Sequence, residues 1–341
     1  MSQALYAAPN TPPNAPPLSV EDALYRKIAW RILPIILICY IVAYIDRVNV
    51  GFAKLQMMGD LKFSDGVYGF GAGIFFLGYF AFEVPSNIIL HKAGARRWIC
   101  RVLVTWGIVS GCTALVRTPM EFYSARLLLG VAEAGFFPGM ILYLTYWFPS
   151  HRRAQMVAIL LAGSAISGIV GGPVSGYILH YCSGILGVRG WQWLFILEAA
   201  PAVVLGVVIL FCLDDRVAGA KWLSAEEKAV VVAEIGEEAS AKTHHTTLSV
   251  FTSPRIWLMG AIYFGIEMGS YAVGFWLPTI IRQGGVKDSF NIGLLTTVPY
   301  SVALVCMILV GRHSDKTRER RWHVIVPCIV SALGFVLCAQ A

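Results

Sequence analysis

Charged residues are scarce in this chain. Lys, Arg, Asp and Glu make up 14% of its 341 residues, against roughly a quarter in soluble domains. That scarcity, with 57% apolar residues and a mean hydropathy of +0.66, excludes an ordinary soluble protein. The short alternating strands of about ten residues that a membrane barrel needs are missing too. No Ser-His-Asp, metal-ligand or phosphate-loop arrangement occurs, so the sequence offers no enzyme chemistry and no place for a metal or cofactor. The eight cysteines lack CxxC or zinc spacing and read as small buried hydrophobes. Despite a net charge of +7, no continuous basic face exists for nucleic acid. No secretory signal is read at the N-terminus.

What is present is a series of apolar runs of about 20 residues, each able to cross a hydrocarbon core of roughly 30 Å as a helix. Lipid offers backbone groups no hydrogen bonds, so such runs must close theirs internally. The pattern predicts helices over 28–50, 67–90, 98–117, 120–148, 155–180, 191–213, 256–281 and 289–311, with a ninth starting near His323. Basic residues concentrate after the even-numbered helices, at Lys92, Arg96 and Arg97, at Arg152 and Arg153, and from Arg312 to Arg321. They place those loops and the N-terminus in the cytoplasm, in a multi-pass protein of the cell inner (plasma) membrane.

The expected organisation is a disordered cytoplasmic tail (1–25), a six-helix N-terminal bundle (26–213), a cytoplasmic linker (214–255) and an incomplete C-terminal bundle (256–341). Ser224 is placed to cap a linker helix. Lys92-Ala-Gly-Ala-Arg96-Arg97-Trp98 recurs as Lys316-Thr-Arg-Glu-Arg320-Arg321-Trp322, the mark of an internal repeat. The fold class is therefore all-α and membrane-embedded, with about eight or nine spans, and a monomer is expected.

A charge inside a predicted span costs at least about 2.5–3.5 kcal/mol at mid-membrane and so needs a partner or a function, and four such residues stand out. Asp46 and Arg47 lie on helix 1, Arg126 and Glu133 on helix 4. At about 1.5 Å of rise per residue, Asp46, Arg47 and Arg126 come to one level, roughly 10 Å outside the bilayer centre. Arg126 and Glu133 share a helix face, and Gly130 between them is expected to leave room beside a cavity. Asp46 and Arg47 point about 100° apart. Arg47 is assigned to the cavity and Asp46 to a neighbouring helix. Tyr44 and Tyr79 lie near the same level.

Longer motifs give these residues a context. They are Tyr44-Ile-Asp46-Arg47-Val-Asn49-Val-Gly51-Phe52-Ala53, Phe82-Glu83-Val-Pro85-Ser86-Asn87, Arg126-Leu-Leu-Leu-Gly130-Val-Ala-Glu133-Ala-Gly135-Phe-Phe-Pro138-Gly139, Arg189-Gly190-Trp191-Gln192-Trp193 and Phe275-Trp276-Leu277-Pro278. From residue 25 onward the chain resembles the major facilitator superfamily, and within it the anion:cation symporters. That branch includes permeases for tartrate, phthalate, hexuronates and galactonate. The resemblance implies a helical bundle, twelve-helix in the family, that moves small organic anions together with protons; this chain stops within the ninth.

In that setting Arg47 and Arg126 fork onto a substrate carboxylate, with Tyr44 and Tyr79 hydrogen-bonding the substrate. Asp46 and Glu133 carry protons, and a substrate anion that occupies the arginines weakens their stabilisation of these carboxylates and favours proton uptake. Asp315, Lys316 and Arg320, after the intact Gly311…Asp315-Lys316 pattern, resemble the family's gating loop. The first-half copy is degenerate, with Asn87 and His91 in the Gly and Asp positions. Other readings stay open: two internal ion pairs that only hold helices together, a drug or amphiphile efflux antiporter favoured by glycine-rich helix 5, a non-transporting membrane subunit, or an inactive truncated transporter.

Overall fold

The computed structural model describes residues 20–241 and 253–340. The expected tail up to residue 19, and His244 and His245 of the linker, lie outside the described residues. Eleven α-helices follow in order: α1 Val20–Leu61, α2 Asp65–Ala93, α3 Ala95–Cys112, α4 Pro119–Glu133, α5 Phe136–Thr145, α6 Ser150–Tyr181, α7 Gly190–Cys212, α8 Ala225–Ala241, α9 Pro254–Gln283, α10 Ser289–Thr317 and α11 Arg321–Gln340. Among the described residues there is no strand. Nine helices are long and apolar enough to cross a membrane, α4 and α5 counting as one.

The starts of these helices are written locally. Ser64 accepts from the Val67 N–H at 3.3 Å. Thr118 and Glu121 form a reciprocal capping box, with Pro119 at the first helical position where no N–H is needed. Ser224 and Glu227 do the same for α8, at 3.1 and 2.8 Å.

Two expectations need correction. The first helix begins at Val20, so residues 20–25 of the expected tail are helical; its 42 residues run about 60 Å, twice a hydrocarbon core. The fourth span is broken. Gly135 sits at φ 81°, ψ 3°, a left-handed conformation that favours glycine, and Glu133 is the last residue before the break. Pro138 follows in the first turn of α5, where its missing N–H costs nothing.

Gly130 also departs from its expected role. A Cβ there would lie 2.0 Å from the Phe75 carbonyl oxygen, so this glycine lets α4 press against α2 and opens no space at a cavity.

The first six spans pack on one another around Trp106, Trp147 and Trp191, all fully buried. The later spans meet them toward the end that holds Leu61, Tyr181 and Ser289. There Gly51 packs on the carbonyls of Gly274 and Phe275, and the Tyr68 hydroxyl donates to the Phe275 carbonyl at 3.0 Å. Arg282 donates to the Leu55 carbonyl. Lys54 pairs with Asp65 at 2.8 Å and stands 3.5 Å above the Trp276 ring. Beside this, α6 and α10 meet through Gly172, Gly176 and Gly293, where backbone approaches backbone.

At the opposite end α8 packs on the start of α1. Lys27 reaches Glu227 at 2.8 Å and Tyr25 donates to Glu234 at 2.6 Å. Burial alone would raise the Glu227 carboxyl, but the Lys27 hydrogen bond and the Ser224 N–H outweigh it and hold the group below its usual value. From mid-span toward this same end, a cavity of about 920 Å³ separates α6 from α9, α10 and α11, reaching Tyr44, Tyr300 and His323.

Candidate functional site

Of the residues expected to act together, Arg47, Tyr79, Arg126 and Glu133 meet between α1, α2 and α4, while Asp46 turns to α3 and Tyr44 to α9. Helix α1 turns Asp46 and Arg47 to different neighbours. The Asp46 carboxylate faces α3, accepting from Ser110 at 2.5 Å and from the Trp106 indole, and also from Asn49 of its own helix at 3.1 Å. It is 1% exposed and supplied with donors on both oxygens. Arg47 faces the other way and pairs with Glu133 of α4.

Arg47 is wrapped in aromatic rings. Its guanidinium carbon lies 5.0 Å from the Tyr79 ring centre and 5.5 Å from that of Phe75, and it donates to the Tyr271 hydroxyl of α9 at 2.6 Å. Tyr271 in turn stacks on Tyr44, centroids 6.4 Å apart at 14°. The negative faces of such rings partly solvate a desolvated cation.

Arg126 is the odd member. It is wholly buried, lies 5.0 Å from the same Phe75 ring and forms no ion pair among the described residues. All three of its guanidinium nitrogens are buried without a hydrogen-bond partner. A guanidinium must be protonated at any ordinary pH, and burying it unpartnered costs several kcal/mol. Two cations therefore flank one phenyl ring while a single carboxylate, Glu133, pairs with one of them. The charge of Asp46 lies within electrostatic reach of Arg126 but gives it no hydrogen bond.

The residues expected to gate lie elsewhere. Arg320 pairs with Asp315 at 2.8 Å and bonds Ser314 at 2.8 Å between α10 and α11, and Lys316 is exposed. In the first half, His91 bonds Tyr146 at 2.8 Å, and the start of α3 takes its acceptor from Asp215, bonded to the Arg96 N–H at 2.8 Å.

Sequence reasoning missed Tyr271, Phe75 and the Trp106–Ser110 pair. A tyrosine or phenylalanine in an apolar run carries no local signal. Only the contact across spans reveals the role. Glu198 has no role in the sequence reading, although a mid-span carboxylate is the same warning sign that singles out Glu133. Among the described residues no group of His, Cys, Asp and Glu could hold a metal ion.

Residues 36–341 match the Major Facilitator Superfamily. The chain is 49% identical over 314 residues to the candidate metabolite transport protein NicT of Pseudomonas putida, covering 92% of this chain and 72% of that one. It is 50% identical over 324 residues to a candidate tartrate transporter of Agrobacterium vitis, covering 94% and 74%. A quinolone resistance transporter of Acinetobacter baumannii is 38% identical over 310 residues, covering 90% and 71%. Among solved structures, an inward-facing, occupied bacterial homologue of the human lysosomal transporter Spinster superposes with a TM-score of 0.65 at 17% identity. That likeness covers 86% of this chain and 62% of that structure; at such identity it establishes the fold alone.

Proposed function

The chain belongs to the Major Facilitator Superfamily, as a multi-pass membrane transporter and not an enzyme, and from that premise we propose that it carries small organic anions together with protons. Tartrate-like dicarboxylates, sugar acids and aromatic acids are the substrate classes. The observation that carries this reading is Arg126, a buried guanidinium with no acceptor on any nitrogen. A carboxylate matches its fork in a bidentate pair.

Arg47 completes the site from across the Phe75 ring. As long as Glu133 occupies Arg47, that arginine is neutralised within the protein. A substrate anion that recruits Arg47 leaves Glu133 buried without its cation, and a buried carboxylate in that position takes up a proton. Anion and proton then bind as a set. Tyr79 and Tyr271 flank Arg47, and Tyr44 joins them to the large cavity.

In this reading the N-terminus and α8 are cytoplasmic in a cell inner membrane, residues 26–213 and 256–341 form two moving halves, and a monomer is the working unit. The halves close at the outer end and the cavity opens inward. Asp315, Lys316 and Arg320 take the part of a gate loop at the cytoplasmic side.

The test is uptake of radiolabelled tartrate, a hexuronate and phthalate into proteoliposomes under an inward proton gradient. Uptake that needs the gradient and is lost in Arg126→Ala is the expected result. Folded, inserted protein that takes up none of the acids, or an Arg126→Ala variant that behaves like the parent, overturns it. A second reading, outward extrusion of amphiphiles, is favoured by the 38% identical quinolone resistance relative. Outward flux that survives replacement of Arg47 and Arg126 would decide for it.

A further inference from the structure

Apart from the arginine site, the first six spans bury one more carboxyl group that the transport reading leaves unused. Glu198 of α7 is 5% exposed. Its Oε1 accepts from the Ser175 hydroxyl of α6 at 2.6 Å, and its Oε2 is buried with no hydrogen-bond partner. It forms no ion pair. Three helices pack against α7. From α6 it meets Ser175. From α1 it meets Asn49 and the charge of Asp46. Trp106 and Ser110 of α3 spend their donors on Asp46. No Lys, Arg or His faces it.

Asn49 suffers the complementary defect. Its Nδ2 donates to Asp46 at 3.1 Å, while its Oδ1 is buried with no donor. Two adjoining side chains thus each present an acceptor lacking a hydrogen. One proton on Glu198 Oε2, donated to Asn49 Oδ1, satisfies both atoms. Turning the Asn49 amide over exchanges the roles: Nδ2 then donates to Glu198 and the proton belongs on Asp46. The amide therefore links two carboxyls that hold one proton between them. Asp46 accepts from Ser110, Trp106 and Asn49 whereas Glu198 accepts from Ser175 alone, so the negative charge is better held on Asp46 and the proton on Glu198.

Ser175 connects this pair to the seam between α6 and α10. It lines a void of about 10 Å³ there, together with Gly172, Thr296 and Tyr300, close to the smallest space that holds one water. Parting α6 from α10 would wet Ser175 and, behind it, Glu198.

We propose that Glu198 is a proton-binding carboxyl, shared with Asp46 through Asn49 and loaded from the seam through Ser175. Its part in transport rests on the proton-coupled reading above; its proton does not.

Infrared difference spectroscopy on the full chain in lipid tests the proton directly. The expected spectrum holds the carbonyl stretch of a buried protonated carboxyl, shifted in Ser175→Ala, lost in Glu198→Gln and regained in Glu198→Asp. A spectrum unchanged by Glu198→Gln, in protein of unaltered melting temperature, overturns the proposal, and so does a carboxylate band that vanishes in its place. In vesicles, Glu198→Gln is expected to keep tartrate exchange and lose gradient-driven accumulation. If accumulation persists while Arg126→Ala abolishes uptake, the anion site stands and Glu198 falls. If the Glu198 band behaves as expected and Arg126→Ala has no effect, Glu198 stands and the anion site falls.

Discussion

At Arg126 the side chain has been removed from water without being given an acceptor, and charge alone does not describe what it waits for. Lysine carries the same charge on a compact ammonium, without the planar fork that grips two oxygens at once. Arg126→Lys is therefore expected to weaken tartrate binding by about 10- to 100-fold, roughly 1.4–2.8 kcal/mol. The check is the rise in melting temperature that tartrate produces in each protein. An equal rise in both would mean that the fork is not used. The four charged residues were legible in the sequence because a charge in an apolar run stands out at once. Their partnering was not. Nothing in the spacing says that Arg47, and not Arg126, is the arginine that Glu133 holds. That depends on how α1 and α4 are rotated against each other.

Among the elements, nine spans could be counted from hydrophobic runs, because the bilayer imposes a length that the sequence must meet. Their ends were less legible: α1 runs on past any hydrocarbon core, and apolarity says nothing about that. The break between α4 and α5 was hidden for another reason, since Gly and Pro are tolerated within intact membrane helices. Gly135 makes it testable. A Cβ there would lie 2.4 Å from the Ser86 hydroxyl and would have to adopt φ 81°, a conformation costing about 1–2 kcal/mol for an L-residue. Gly135→Ala should lower the melting temperature in detergent. Gly73→Ala, with nothing within 4 Å of its Cβ, should leave it unchanged. Helix α8 gives a pH prediction. The Glu227 carboxyl is held below its usual value in the folded protein, so its contribution is present above the unfolded value of about 4.3 and is lost as pH falls through the depressed one. Hydrogen exchange in α8 should accelerate only in that acid range. In Lys27→Met it should be faster already at neutral pH.

For the whole molecule, the question is what holds the early and late spans together at the Leu61 end. Lys54 is 5% exposed, and Trp276 of α9 covers it at 3.5 Å. A desolvated contact of this kind contributes about 0.5–2 kcal/mol. Lys54→Met should thus shift the balance toward molecules parted at this end by about 2- to 30-fold. Spin labels on cysteines placed at Gly59 and Gln283 would report it as a longer distance population. A distribution identical to the parent's would show that Lys54 serves only its own half. The resemblance in the sequence implied two halves, yet no residue pattern indicated which end is closed, because that is a property of one state among several open to the same chain.

The join between α6 and α10 bears on how fast such a change can run. Where Gly172, Gly176 and Gly293 meet, backbone lies on backbone, and beside them the Thr296 and Tyr300 side chains seat against Gly172 and Gly168. Parting such faces withdraws two side chains, Thr296 and Tyr300, from the room that glycines leave for them. The joint is a close backbone contact keyed by these two side chains, and further resistance to motion sits in a few discrete catches, Lys54 and Arg282 among them. A carrier built this way would have its pace set by individual side chains, two within the seam and others at its rim, leaving the glycine backbone over which it rocks free to stay unchanged while that pace is tuned.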